Sequence, residues 1–275
     1  MRELGYREGQ NFLYERRFAD GVAPRLDILA AELVSRNVDV IVTGSNPAIS
    51  AAQRATAKIP IVMAVSRDPV GSGFVATISR PGGNVTGMAS DPAPDIIGKH
   101  VELLIEAFPT VSRIALLWNP VPPGAEGYRR AVETASEKRR IALHIVSARA
   151  RHEFDRAFAE IRGVAAEALV VLPDPVFFTA RADIAALAVK ARLPSIYFHR
   201  EHVEAGGLLS YGANITHQFR RAATFVDKIL NGAHPGLLPI EQATTFEMLV
   251  NLRTAKALGV AIPQALLLRA AQVIE

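Results

Sequence analysis

No cysteine occurs anywhere in the 275 residues, which excludes disulfides, thiolate nucleophiles and cysteine-ligated metals. Tryptophan occurs once and aromatic residues make up only 7% of the chain, so any aromatic surface must come from a few placed side chains. No apolar run approaches the roughly 20 residues of a membrane-spanning helix. The opening residues, MRELGYREGQ, are polar and lack the charged-then-apolar pattern of a secretory signal. Taken alone, a true start at Met1 predicts a cytoplasmic chain. A strong excess of one charge is also absent. The net charge is +4 despite a pI near 9.6, and the basic residues are scattered, with short clusters only at Arg16–Arg17 and Lys138–Arg140. An extended nucleic-acid groove concentrates more positive charge than this, so no nucleic-acid partner is expected. There is no G-x-S-x-G elbow, no G-x-x-x-x-G-K-[ST] phosphate loop and no H-E-x-x-H pair. No catalytic residue, metal or cofactor is therefore assigned.

What the chain does have is apolar content and alternation. Hydrophobic residues make up 49% and charged residues 21%, enough for a substantial core. Short apolar runs rich in β-branched residues read as strands: VDVIV (Val38 to Val42), IPIVMAV (Ile59 to Val65), NVTGMA (Asn84 to Ala89), RIALLW, IALHIVSA, EALVVL, LPSIYF, GLLSYG and TTFEMLVNL. Most run apolar without interruption, as strands of a parallel sheet covered on both faces do. Amphipathic stretches between them read as helices. NPAISAAQRATAK has Asn46 as its expected N-cap and Pro47 in its first turn. DPAPDIIGKHVELLIEAFP runs from Asp91, EFDRAFAEIRG is expected to be capped by Gly163, and THQFRRAATFVDKILNG to be closed by Gly232. RTAKALG and PQALLLRAAQVI are expected as closing helices. At the amino end, Gly5 suits the left-handed cap of a helix's last turn, and NFLYERRFA reads as a strand.

Two stretches share a plan: VDVIVTGSNPAISAAQRATAKIPIVMAV and EALVVLPDPVFFTARADIAALAVKARLPSIYF. Each has a strand, a proline-containing loop, an alanine-rich helix, an X-Pro step and a second strand. We read them as the same βαβ unit, once in each of two lobes.

Two motifs are set aside. HREH places His199 and His202 beside Glu201, but without a third-ligand pattern it reads as a solvated helix start rather than a metal site. GSGFVA (Gly71 to Ala76), with Asp91 about 20 residues on, fits the dinucleotide fingerprint only in letters. SRDP separates it from the preceding strand and SRPGGN ends any following helix. The loops after the strands carry more information, because an open parallel sheet binds ligands outside its carboxyl ends. TGSNPA, SRDP, WNPVPP, LPDPVFF, YFHRE and SYG bring hydroxyls, amides, carboxylates and aromatic rings to those ends. Each residue alone suits a helix cap. Together they suit recognition of a small molecule, with no nucleophile–base pair for chemistry.

DPVGSGFVATISRPGGNVTG, RIALLWNP, VEAGGLLSYG and AATFVDKILNGAHPGLLPIEQATTFEMLVNLRTAKALGVAIP resemble the substrate-binding proteins of ABC importers of the tryptophan/tyrosine type. The resemblance implies a type I periplasmic-binding-protein fold: α/β, with two doubly wound parallel-sheet lobes joined by a multi-crossing hinge. Carried onto this sequence, lobe 1 spans residues 1–90 and 206–240, and lobe 2 spans residues 91–205 and 241–275, with hinges near Ser90, Gly206 and Glu241. The ligand loops match at Ser45, Asn46, Ser66, Asp68, Asn119, Asp174, Phe198 and Tyr211. Ser45 and Asn46 are expected to hold an anionic or acceptor group, Asp68 and Asp174 an ammonium or hydroxyl, and Phe198 and Tyr211, with Phe177, an apolar part. The implied role is the solute-binding component of an ABC import system: a periplasmic monomer that delivers an amino acid or a related aromatic or polar molecule to permease subunits. The alternative is a cytoplasmic ligand-sensing domain on the same fold.

A doubly wound lobe places its first strand between the second and third. NFLYERRFA serves as the second and VDVIV as the third, and none of the residues ahead of them reads as the first. The expectation is a lobe 1 whose first strand is absent, with unpaired backbone on both sides of a gap. The resemblance implies an export or lipoprotein signal, that strand and most of the first helix ahead of the residues given. Three explanations compete: a coding start placed too late, which we favour, a chain that was cut, and a truncated gene.

Overall fold

The computed structural model describes residues 1–90 and 94–275. Asp91, and the helix start expected there, lie outside the described residues. The chain divides into two compact units, Met1–Pro92 with Ile215–Thr244, and Ala93–Asn214 with Thr245–Glu275.

Unit 1 begins with a 3₁₀ turn at Arg2–Leu4, ended by Gly5 at φ 86, the left-handed cap that the sequence suggests. Helix α1 (Arg25–Ser35), strand β1 (Ile41–Thr43), helix α2 (Asn46–Ala55), β2 (Ile61–Met63) and β3 (Val85–Ala89) follow. In unit 2 come α3 (Pro94–Ala107), β4 (Arg113–Trp118), α4 (Ala125–Lys138), β5 (Ala142–Ser147), α5 (Phe154–Gly163), β6 (Ala168–Val171), α6 (Pro175–Thr179), α7 (Arg181–Lys190), β7 (Ser195–Tyr197), α8 (Arg200–Glu204) and β8 (Leu209–Ala213). The chain returns to unit 1 for α9 (Ile215–Leu230) and β9 (Glu241–Gln242). It ends in unit 2 with β10 (Phe246–Asn251), α10 (Leu252–Leu258), α11 (Gln264–Arg269) and β11 (Gln272–Ile274).

Unit 1 holds a parallel sheet in the order β1-β2-β3-β9. Every residue of β2 and β3 is buried, because helices cover both faces. Ile49 and Ala52 of α2 pack with Ile41, Ile61, Met63 and Val85 on one side. On the other, α9 presents Gln218, Ala222, Phe225 and Val226 at helical spacing, and the last three of these pack on Val62, Ala64 and Met88. Unit 2 holds seven strands in the order β11-β10-β8-β7-β6-β4-β5, parallel throughout except between β8 and β10. Apolar clusters on its two faces are built around Leu104, Ile114 and Leu116, and around Phe158, Leu117 and Phe177. Each such side chain contributes about 1.5–3 kcal/mol by leaving water. The ion pairs, most with at least one partner more than a third exposed, add at most about 1 kcal/mol each.

Five sequence expectations are corrected. NFLYERRFA forms no ladder. Only an isolated bridge joins Glu8 and Phe12, and Leu13 and Phe18 are 78% and 68% exposed, because no strand lies beside it to take its backbone bonds. GLLSYG pairs in the unit 2 sheet, so the chain enters unit 1 again at Ile215 rather than near Gly206. The end of PQALLLRAAQVI is strand: α11 stops at Arg269, Ala270 turns extended, and Val273 pairs with Val250. Gly163 lies inside α5 rather than capping it, and Ala165 takes the left-handed conformation at φ 49. Asn46 is the first residue of α2, with Ser45 as its N-cap.

Gly127 lies exposed in α4, and a Cβ there would meet nothing within 4 Å. Gly127→Ala is expected to raise stability by about 0.5–1 kcal/mol, through the lower chain entropy of alanine when unfolded, as read by urea denaturation.

Candidate functional site

In unit 1 the parallel strands bring the ends of β1, β2 and β3 to one edge. Thr43 ends β1 and is 6% exposed, and its Oγ1 has no hydrogen-bond partner among the described residues. Ser45 is extended and starts α2 without a side-chain cap bond, which leaves donors of the helix's first turn available to an acceptor. Asn46 is 1% exposed. Its Nδ2 donates to the carbonyl of Arg67 at 2.8 Å and to Ser72 Oγ at 3.1 Å, and its Oδ1 accepts from Arg67 N at 2.9 Å. The side chain thereby ties the loop after β1 to the loop after β2. Ser66 is fully buried and its Oγ has no partner among the described residues. Asp68 is exposed at φ 41, and its Oδ1 accepts from Gly71 N at 2.9 Å. After β3, Ser90 Oγ lies 3.2 Å from Gln218 Oε1, while Gln218 Nε2 is buried without a partner. Among the described residues of unit 1, the buried unpartnered side-chain atoms, Thr43 Oγ1, Ser66 Oγ and Gln218 Nε2, thus all fall at this one edge. A buried polar atom left unpaired costs about 1–3 kcal/mol, which marks the edge as a place that gains from a polar ligand.

Unit 2 repeats the plan with different side chains. Asn119, after β4, donates through Nδ2 to Asp174 Oδ2 at 3.1 Å and accepts from Val121 N at 3.1 Å. Asp174, after β6, is the N-cap of α6 and its Oδ1 accepts from Val176 N at 2.8 Å and Phe177 N at 3.4 Å. The pair ties two mouth loops together as Asn46 does in unit 1. Phe177 is fully buried against Phe154, so it belongs to the core rather than to an enclosing wall. Phe198, after β7, stacks on His100 of α3 with ring centres 3.7 Å apart, and Tyr211 of β8 meets the same imidazole edge-on at 6.0 Å. His100 is fully buried and neither ring nitrogen reaches a hydrogen-bond partner among the described residues. Burial pushes its pKa down to about 4, and nearby backbone groups of Tyr211 and Ile96 lessen that effect without reversing it.

The HREH segment does start a helix, α8, but it is not solvated. His202 is 2% exposed and stacks on Tyr197 at 4.8 Å. Burial, and then the charge of Arg181, push it down to about 4, and burial also pushes Glu201 up. No group of three or more His, Asp or Glu that could hold a metal occurs among the described residues.

The sequence-predicted residues therefore fall into two sets. Ser45, Asn46, Ser66 and Asp68 gather at the strand ends of unit 1, and Asn119, Asp174, Phe198 and Tyr211 at those of unit 2. Thr43 belongs to the TGSNPA loop that the sequence singled out but was given no role of its own, and Gln218 and His100 were missed. Thr43 carries a signal, the hydroxyl that ends an apolar strand. Gln218 and His100 sit inside helices that read as ordinary packing elements.

The family model for ABC transporter substrate binding proteins matches residues 1–274. A tyrosine-binding protein from Clostridioides difficile is 25% identical over 258 residues, covering 94% of this chain and 74% of that protein. A crystal structure of a conserved domain protein from Vibrio cholerae aligns with TM-score 0.93 at 29% identity, over 99% of this chain and 90% of that one. A domain from Streptococcus pneumoniae solved with L-Trp aligns with TM-score 0.91 at 24% identity, over 99% and 91% of the two chains. The α/β fold with its parallel sheets is of the type I periplasmic-binding-protein kind, and the chain belongs to the ABC transporter substrate-binding protein family.

Proposed function

We propose that this protein is the solute-binding component of an ABC import system and holds an amino acid, or a related aromatic or polar molecule, with residues at the strand ends. The observation that carries the reading is the set of unpaired buried polar atoms at the strand ends of unit 1: Thr43 Oγ1, Ser66 Oγ and Gln218 Nε2. With the first-turn donors of α2 and Ser45, they suit a carboxylate, and Asp68 suits an ammonium. In unit 2, Phe198 and Tyr211 around His100 suit a flat apolar side chain, with Asn119 and Asp174 holding the loops that carry it. The tyrosine-binding relative and the L-Trp complex support an aromatic amino acid. The binding role calls for no catalysis and implies permease subunits as partners, a monomeric protein and a periplasmic site of action.

The test is mass spectrometry of the small molecule released from purified protein, with two variants. Ser66→Ala removes an unpaired buried hydroxyl, so it is expected to leave stability unchanged or slightly raised while weakening binding about tenfold. Asp68→Ala is expected to weaken binding at least about tenfold. Wild-type affinity in both variants removes these residues from the site.

A further inference from the structure

In unit 1 the loop after β2 runs SRDPVGSGF, from Ser66 to Phe74, and its backbone is fixed at several points. Asn46 Nδ2 donates to Arg67 O and to Ser72 Oγ, and Ser72 Oγ donates to Arg67 O at 3.2 Å. Ser72 N donates to Asp68 O at 2.8 Å and Phe74 N to Pro69 O at 2.9 Å. Phe74 is buried and anchors the far end in the core with Ile49 and Met63. None of these bonds uses the Asp68 carboxylate, so the loop keeps its fold whether or not that carboxylate stays in place.

The carboxylate is nevertheless held in one position, and Gly71 holds it. Gly71 N donates to Asp68 Oδ1 at 2.9 Å, which leaves Oδ2 for a ligand's donor. The space where a side chain of residue 71 would stand is filled by the same carboxylate. A Cβ there would overlap Oδ2 and lie 2.7 Å from Cγ and 2.9 Å from Oδ1, its three nearest neighbours. Gly73 sits at φ 74, a conformation that itself favours glycine, but Gly71 has no positive φ. Glycine is required at Gly71 by the room the carboxylate takes and not by the backbone.

We propose that Gly71 is a positioning residue of the binding site. By giving Asp68 an N–H and the room of a missing side chain, it sets the carboxylate to take up an ammonium group, so that the site selects amino acids over their des-amino analogues. The inference rests on the proposed function, in which Asp68 meets the ammonium. A carboxylate already fixed loses little side-chain freedom when the ligand arrives, and its charge-assisted bond to an ammonium is among the stronger hydrogen bonds. Gly71→Ala turns the carboxylate aside about its own side-chain bonds. That disturbs the fold little, because the displaced atoms are the free end of an exposed side chain, but it takes the partner from the ammonium.

The test is calorimetry with L-tryptophan and L-tyrosine, each beside the analogue in which hydrogen replaces the ammonium group. Gly71→Ala is expected to bind the amino acid about tenfold more weakly and the analogue as the wild type does, within about twofold, with Tm lowered by no more than about 4 °C. In an Asp68→Ala background, Gly71→Ala is expected to change affinity for the amino acid by less than about twofold, because the carboxylate it displaces is gone. This arm decides the matter where the analogue binds too weakly to measure. Equal weakening for amino acid and analogue overturns the inference and makes Gly71 a general loop residue. Unchanged affinity for the amino acid in Gly71→Ala overturns it too, as do losses that add in the double variant, and all three results leave the binding role standing. Refolded wild-type protein that binds neither amino acid nor analogue contradicts the proposed function, and the role of Gly71 with it.

Discussion

Acidification from pH 7 to pH 4.5 is expected to remove several kcal/mol of stability, and two buried histidines are the cause. His100 and His202 each have a pKa lowered from 6.5 to about 4 in the folded protein, mainly by burial. In the unfolded chain each imidazole takes its proton near pH 6.5. Between the two values the unfolded chain holds more protons than the folded one, so stability falls as pH falls. The contribution is complete above pH 6.5 and is lost progressively toward pH 4. At about 1.4 kcal/mol per pKa unit, each histidine accounts for about 3 kcal/mol. Glu201 works the other way: its raised pKa makes the folded state gain as pH falls through that value, which offsets part of the loss. Urea unfolding at a series of pH values should show a slope approaching two protons near pH 5. His100→Leu with His202→Leu should flatten it, and a double variant with the wild-type slope contradicts the assignment.

Gly87→Ala is expected to cost about 3–5 kcal/mol, the sum of backbone strain and overpacking. Gly87 sits in β3 at φ 130, and a Cβ there would lie 2.2 Å from the carbonyl oxygen and 2.7 Å from the nitrogen of Met63, its register partner on β2. Neither backbone atom can withdraw without breaking the β2–β3 ladder at the centre of the unit 1 sheet. Gly83 provides the control, because a Cβ there meets nothing within 4 Å, so Gly83→Ala should change stability by less than about 0.5 kcal/mol. Denaturation midpoints of the two variants decide the matter. Equal midpoints contradict the close approach.

The sequence made the strands and helices legible wherever burial on both faces left a continuous apolar run, as in IVM at Ile61–Met63 and RIALLW at Arg113–Trp118. It misled where a segment has the composition of a strand but no neighbour. FLYERRF is rich in aromatic residues as strands are, yet pairing requires a second backbone, and no composition reports whether one is there. The opposite error arose at Gln272–Ile274, where three residues following a helix turned extended because the edge of β10 lay open to them. The mouth loops were legible as a set because Asn, Asp, Ser and Pro collect after the strands. Their roles were not. Asp174 and Asn119 spend their hydrogen bonds on one another and on nearby backbone, and Phe177 faces the core. A side chain's direction depends on the rotation of a short helix such as α6, which five residues do not encode. His100 was invisible for a related reason, since a lone histidine in an amphipathic helix becomes notable only when Phe198 is found stacked upon it.

The proposal that this chain binds an aromatic amino acid is tested most directly by calorimetry. The protein is unfolded, freed of small molecules by dialysis, refolded and titrated with L-tryptophan and with L-tyrosine. The predicted result is saturable one-to-one binding of at least one of them, lost or weakened at least about tenfold in Asp68→Ala and Ser66→Ala. Absence of binding by both amino acids to protein shown to be refolded contradicts the account.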